Sequence, residues 1–144
     1  MPDARRLRVF FDADALIAGS ASAAGASFLL LYLADLGVIE GITSRQAIGE
    51  VERNLMAKLP AALPAFRVIV SSALTVVSDP RPGTLRQLSG QAASDDLPIL
   101  GAAVEKECDY LVTFNVRHFR RGASPPSPIR PGDLVAKLRG LLSD

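Results

Sequence analysis

The run Leu7-Arg-Val-Phe-Phe11 stops abruptly at Asp12, and Asp14 stands two residues further on. This junction restricts the fold more than any other stretch of the chain. A short apolar run rich in strand formers reads as a buried first strand. A bare carboxylate directly behind a buried strand costs free energy unless something compensates it. One aspartate there can cap the helix that follows; two are more than a cap needs.

The same alternation continues along the chain. Ala13–Ala24 suits a short helix with Gly19 and Gly25 as breaks, Ser27–Gly37 a helix closed by Gly37, and Val38–Thr43 a second strand. Ser44 offers a cap for a helix through Lys58, in which Ala47, Ile48, Val51, Leu55 and Leu59 recur at helical spacing. Pro60 and Pro64 separate that helix from another near Ala65–Ser72, and Leu74–Ser78 is a third strand ended by the turn Asp79-Pro-Arg-Pro-Gly83. A short helix over Thr84–Gln91, a helix over Asp95–Glu107, a fourth strand at Tyr110–Phe114, a loop at Ser124–Pro128 and a terminal helix over Asp133–Leu142 complete the reading. Strands alternating with helices predict an α/β fold, a three-layer sandwich with a central parallel sheet flanked by helices. Ligands of such sheets gather beyond the carboxyl ends of the strands. Asp12, Ser44 and Asn115 follow three of the strands and are expected on that one edge.

Composition narrows the class. With 144 residues, 49% of them hydrophobic, and a net charge of +1, the chain fits a single globular domain over 1–144 and excludes disorder as its main state. Cys108 is the only cysteine, so no intrachain disulfide forms, which suits a reducing compartment. Asp12 and Asp14 interrupt the apolar stretch near the start, unlike a signal peptide, and Phe28–Leu33 is far too short to span a bilayer. The expectation is a cytoplasmic protein with no membrane partner. Phe28–Leu33 fits a core helix or the face of a homodimer equally well. A protein that simply coats nucleic acid would be far more basic.

Further acids stand out downstream. If Asp95 is the N-cap of its helix, Pro98 falls at the third helical position, where no intrahelical bond is lost. Asp96 is then left over in the first turn, for a function or for the helix dipole. Glu50 falls beside Ala47 and Asn54 at the margin of its helix's apolar stripe, where spacing alone reads as a solvated glutamate; Glu52 reads as surface.

In their order, the segments VFFDADALIAG, SRQAIGEVERNL, DDLPILGAAVEKECDYLVTFNVRHF and IRPGDLVAKL resemble the PIN-domain ribonucleases, and among them the VapC-like branch of bacterial toxins and related nucleases. The likeness covers nearly the whole chain. It implies that acidic side chains at the carboxyl edge of the sheet hold Mg²⁺ or Mn²⁺, and the matching positions are Asp12, Glu50 and Asp96. Asp14 stands where the family often has asparagine, which implies an auxiliary role. Relatives commonly carry a fourth acid just after the fourth strand; here the segment reads Thr113-Phe-Asn-Val-Arg-His118-Phe, with Asn115 and His118 in its place. An amide oxygen at Asn115 partly substitutes for an acid. His118 as a ligand would favour Mn²⁺, and its alternative use is a hydrogen bond to substrate phosphate. Arg117, Arg120 and Arg121 are candidates to hold phosphates.

The resemblance further implies an RNA substrate cleaved by a metal-activated water, a homodimer and, for a toxin, a cognate antitoxin protein. Oxygen ligands suit hard cations, and a divalent metal offsets the charge that develops when a phosphodiester is attacked. Two rivals remain. FFDADAL resembles the DxDx(T/V)(L/V) opening of haloacid-dehalogenase-like phosphatases, with Asp12 as nucleophile and Asp14 as general acid/base; Asp95 and Asp96 precede Thr113, the reverse of that family's order. The other is a PIN-like fold kept for RNA or protein binding.

Overall fold

The computed structural model describes residues 5–119 and 124–142. The first strand, β1 (Arg8–Phe11), carries Val9, Phe10 and Phe11 with no exposed surface. Consecutive side chains point to opposite sheet faces, so both faces of β1 are covered. It is the middle strand of five. β2 (Glu40–Ser44) pairs with it on one side, Arg8 opposite Glu40, and β3 (Leu74–Val77) lies outside β2. β4 (Tyr110–Val112) pairs on the other side, Phe11 opposite Val112, and β5 (Ser127–Ile129) lies outside β4. All four pairings are parallel, in the order β3-β2-β1-β4-β5. The chain thus winds outward from β1 in one direction and then in the other, which makes the gap between β1 and β4 a topological switch point, where α/β sheets place their ligands.

The helices are α1 (Ala13–Ala21), α2 (Ala26–Asp35), α3 (Arg45–Lys58), α4 (Leu63–Ala73), α5 (Pro82–Gln87), α6 (Leu97–Glu105) and α7 (Pro131–Leu142), with single tight turns at Pro60–Ala62 and Val116–His118. The expected α/β sandwich is the observed one. Gly37 closes α2 with φ of +79°, where a side chain would be strained. Within α2, Leu30 and Leu31 of the apolar run pack into the core while Tyr32 stays half exposed. Two acceptors serve the start of α3: Ser44 Oγ takes the N–H of Ala47, as expected, and Asp79 Oδ1 takes that of Gln46 at 3.0 Å. Among the described residues, no single helix is long and apolar enough to cross a membrane.

The fifth strand corrects the loop expected at Ser124–Pro128. Three prolines in that stretch argue against a strand, yet Pro128 sits on the sheet edge. The N–H of Ser127 donates inward to the Asp109 carbonyl at 3.0 Å, so the neighbouring position directs its missing N–H outward, where no ladder bond is lost. β4 is also shorter than expected, ending at Val112. Thr113 and Phe114 turn instead into the site described next.

Candidate active site

Asp12 is the first residue beyond β1 and the N-cap of α1, so the cap and the functional candidate are one residue. One carboxylate oxygen accepts from the Ala13 N–H at 2.7 Å; the other accepts from the Thr113 hydroxyl at 2.9 Å. The Asp12 N–H donates to the Val112 carbonyl, fixing the residue at the seam between β1 and β4. Burial pushes its pKa up to about 7, and the nearby charge of Asp14 pushes the same way; the bonds from Thr113 and Ala13 oppose the shift, and Asp96 adds to it.

Asp14 faces the same seam from the first turn of α1. Its Oδ2 accepts from the Phe114 N–H at 3.0 Å and the Asn115 amide at 3.1 Å, with the Thr113 hydroxyl at 3.4 Å. Its Oδ1 is buried, with no hydrogen-bond partner among the described residues. Burial again raises the pKa first; hydrogen bonds from Phe114, Ala15 and Thr113 pull it down, and Asp96 pushes it up. A hydroxyl has one proton, so Thr113 serves one carboxylate at a time, and the shorter distance favours Asp12. Asn115 donates its amide to Asp14. An aspartate there would set a like charge against that carboxylate.

Asp96 occupies the N-cap position of α6, and its side chain makes no capping bond. Asp95, expected there, is exposed one residue earlier. The error has a simple cause: proline costs no helical bond anywhere in the first turn, so Pro98 restricts the helix start to a range without setting its register. The Asp96 carboxylate turns to His118, with Oδ2 and Nδ1 2.8 Å apart.

Thr113, Asn115 and His118 therefore each touch an acid of the site. Glu50 does not join them: half-buried on the second turn of α3, it makes no hydrogen bond or ion pair to a described residue. Among the described residues, no three His, Cys, Asp or Glu side chains gather closely enough to hold a metal ion as they stand. What the site offers a cation is its donor chemistry. Its acids offer carboxylate oxygens, one of them a buried Asp14 oxygen with no partner among the described residues, and like charges with no described Lys or Arg paired to them. In donor chemistry Asp12, Asp14 and Asp96 fit a hard divalent ion.

Arg117 is exposed and makes no hydrogen bond or ion pair to a described residue. With His118 it lines a cavity of about 330 Å³, walled otherwise by Gly90, Ala92 and Ala93. Arg120 and Arg121 lie outside the described residues. A larger cavity of about 540 Å³ between the α1–α2 connection and α7 is lined by none of the acids.

Sequence and structure comparisons bear on this geometry. A family model described as PIN domain matches residues 8–117, which include every strand but β5 and every acid of the pocket. The crystal structure of PAE2754 from Pyrobaculum aerophilum superposes with a TM-score of 0.66, covering 93% of this chain and 96% of that one at 16% sequence identity. At that identity the likeness is one of fold. No curated protein matches the chain.

Proposed function

Because the chain belongs to the PIN domain family, whose members are generally nucleases and typically use divalent metals, we propose that it is a Mg²⁺- or Mn²⁺-dependent endoribonuclease that hydrolyses RNA phosphodiester bonds. The observation that carries this reading is the pair Asp12 and Asp14 at the switch point, both with raised pKa, one with a buried oxygen unbonded and neither met by a cationic side chain among the described residues.

Asp12, Asp14 and Asp96 would hold the ion, with Glu50 of α3 as the further acid the family pattern implies. When bound, the cation supplies charge neutralisation at the phosphate and acidifies water. The chain's own residues do the rest. Thr113 and Ala13 hold the Asp12 carboxylate by one oxygen each, which fixes its plane. Asn115 and the Phe114 N–H hold Asp14 by Oδ2 and leave Oδ1 for the ion. Arg117, charged and unpaired among the described residues, would hold a phosphate at the cavity it shares with His118. The family match favours this nuclease reading over the phosphatase one.

The finer expectations belong to the same proposal: a VapC-like toxin acting in the cytoplasm, a homodimer, and a small antitoxin encoded next to it that blocks the acidic pocket. The test is cleavage of single-stranded RNA with Mn²⁺ or Mg²⁺, compared with the same protein plus chelator and with Asp12→Asn. Cleavage that persists in chelator, or in the variant, removes the proposal; RNA binding without cleavage under every condition favours a binding module.

A further inference from the structure

We propose that His118 is a positioning residue, whose Nδ1 aims the Asp96 carboxylate at the cation pocket shared with Asp12 and Asp14, and that it is not itself a metal ligand. The inference rests on reading that pocket as a cation site.

Asp96 departs from what its place in the helix would dictate. An aspartate at an N-cap ordinarily has an extended backbone and folds its carboxylate back onto the N–H groups of the first turn. Here φ is −98° and ψ is −9°, and no capping bond forms. The carboxylate forgoes that bond and takes the imidazole 2.8 Å away instead. Both side chains keep solvent access, 50% exposed for His118 and 23% for Asp96, so the attraction of the pair contributes little to stability. Its effect is on geometry.

The backbone is arranged to deliver that geometry. The Ala93 N–H donates to the His118 carbonyl at 3.0 Å, and Ala92 and Phe119 form an isolated antiparallel bridge. The Asp96 and Leu97 N–H groups both turn back to the Ala93 carbonyl. The segment that enters α6 is thus stitched to the turn Val116–His118, and the carboxylate–imidazole bond is the side-chain member of the same seam. One tight turn holds both acids' partners: Asn115 donates its amide to Asp14 and accepts the His118 N–H at 2.9 Å, while His118 bonds Asp96; the charge of Asp96 bears on Asp12 and Asp14. His118 also lines the cavity with Arg117, Gly90, Ala92 and Ala93, a wall to which none of the three aspartates contributes. An ionised carboxylate only accepts hydrogen bonds, so Nδ1 donates to Asp96 and is closed to a metal. The ring's lone pair is then on Nε2, and the ring borders a cavity that Asp12 and Asp14 do not line. Held by one oxygen, Asp96 keeps the other for the ion.

Mn²⁺ binding to the full chain tests this, followed by electron paramagnetic resonance for wild type, His118→Ala and His118→Asn, with thermal melts of each. The asparagine amide nitrogen occupies the place of Nδ1 and can donate to Asp96. We expect His118→Ala to weaken Mn²⁺ binding about 10-fold, the usual scale for losing a group that orients a ligand. His118→Asn is expected to restore most of it. Pulsed measurements on wild type should show no imidazole nitrogen bound to Mn²⁺, and its ¹⁵N spectrum should place the proton on Nδ1. Equal affinity in wild type and His118→Ala overturns the inference alone, as does failure of His118→Asn to rescue or a directly bound imidazole nitrogen. If His118→Ala does not fold, the asparagine variant and the wild-type nitrogen spectra decide. Wild-type protein that binds no Mn²⁺ overturns the cation site itself, and this inference with it.

Discussion

At the amino end of the sheet, acids meet guanidinium groups. Asp109 accepts from Arg5 at 3.0 Å and from the Arg8 N–H at 2.8 Å, and Glu40 lies 3.5 Å from Arg8 Nε. At the carboxyl end, Asp12 and Asp14 meet a threonine hydroxyl, an asparagine amide and backbone N–H groups, and among the described residues Asp96 meets a histidine. Both ends carry acids at strand termini, and only one end balances them. Folding by itself favours the balanced arrangement, because a buried carboxylate without a cation is a standing cost. An unbalanced cluster at a switch point marks the end where something else is meant to supply the positive charge.

The largest test of that contrast is Asp12→Asn. We expect RNA cleavage to fall about 100-fold or more, since metal-held charge stabilisation is worth several kcal/mol, with the melting temperature unchanged or raised because a desolvated charge is gone. A loss of activity through unfolding would erase the distinction between the two ends.

The next effect is on pH. Asp12 is raised in the folded state from 3.8 to about 7, so between those values the folded protein binds more protons than the unfolded one. Stability of the metal-free protein should therefore fall as pH rises from about 4 to about 7, by up to about 4 kcal/mol at about 1.4 kcal/mol per pKa unit. Denaturant titrations across that range should show the decline in wild type, a flatter profile in Asp12→Asn, and a flatter profile in wild type with Mn²⁺. A stability that climbs over the same window would contradict the unbalanced pocket.

Asp109→Ala works on the other end. It should cost about 1–3 kcal/mol by leaving the Arg8 N–H without its acceptor, visible in the denaturation midpoint, with metal-dependent cleavage unchanged. Glu50→Gln should leave the melting temperature alone, since Glu50 has no partner among the described residues, while lowering cleavage about 10-fold through a weaker hold on the ion. Glu52→Gln, two residues on and so about 200° around the helix, should change neither.

Much of the architecture was legible because the apolar runs of β1 to β4 each end in polar residues at or within a few residues of the strand's carboxyl end. β5 was hidden by its prolines, which only an edge position tolerates. The start of α6 was off by one residue, because proline is indifferent to its place in the first turn. In the pocket, residue types single out Asp12, Asp14, Asp96, Thr113, Asn115 and His118, while their pairings are invisible in the sequence. Thr113 reaches back 101 positions to Asp12, and His118 reaches 22 to Asp96. Nothing local encodes such partnerships. Asp79 on the start of α3 escaped notice for the same reason.

The order of elements, their parallel class and the edge on which the acids stand follow from local patterning, since backbone preference and burial act over a few neighbouring residues. Which acid is held by which donor, which oxygen is left bare, and that Glu50 is left without a bond to any described residue depend on strand register and helix docking. Those are decided only when segments a hundred residues apart pack into one core, where a shift of a single residue would turn every side chain to the opposite face.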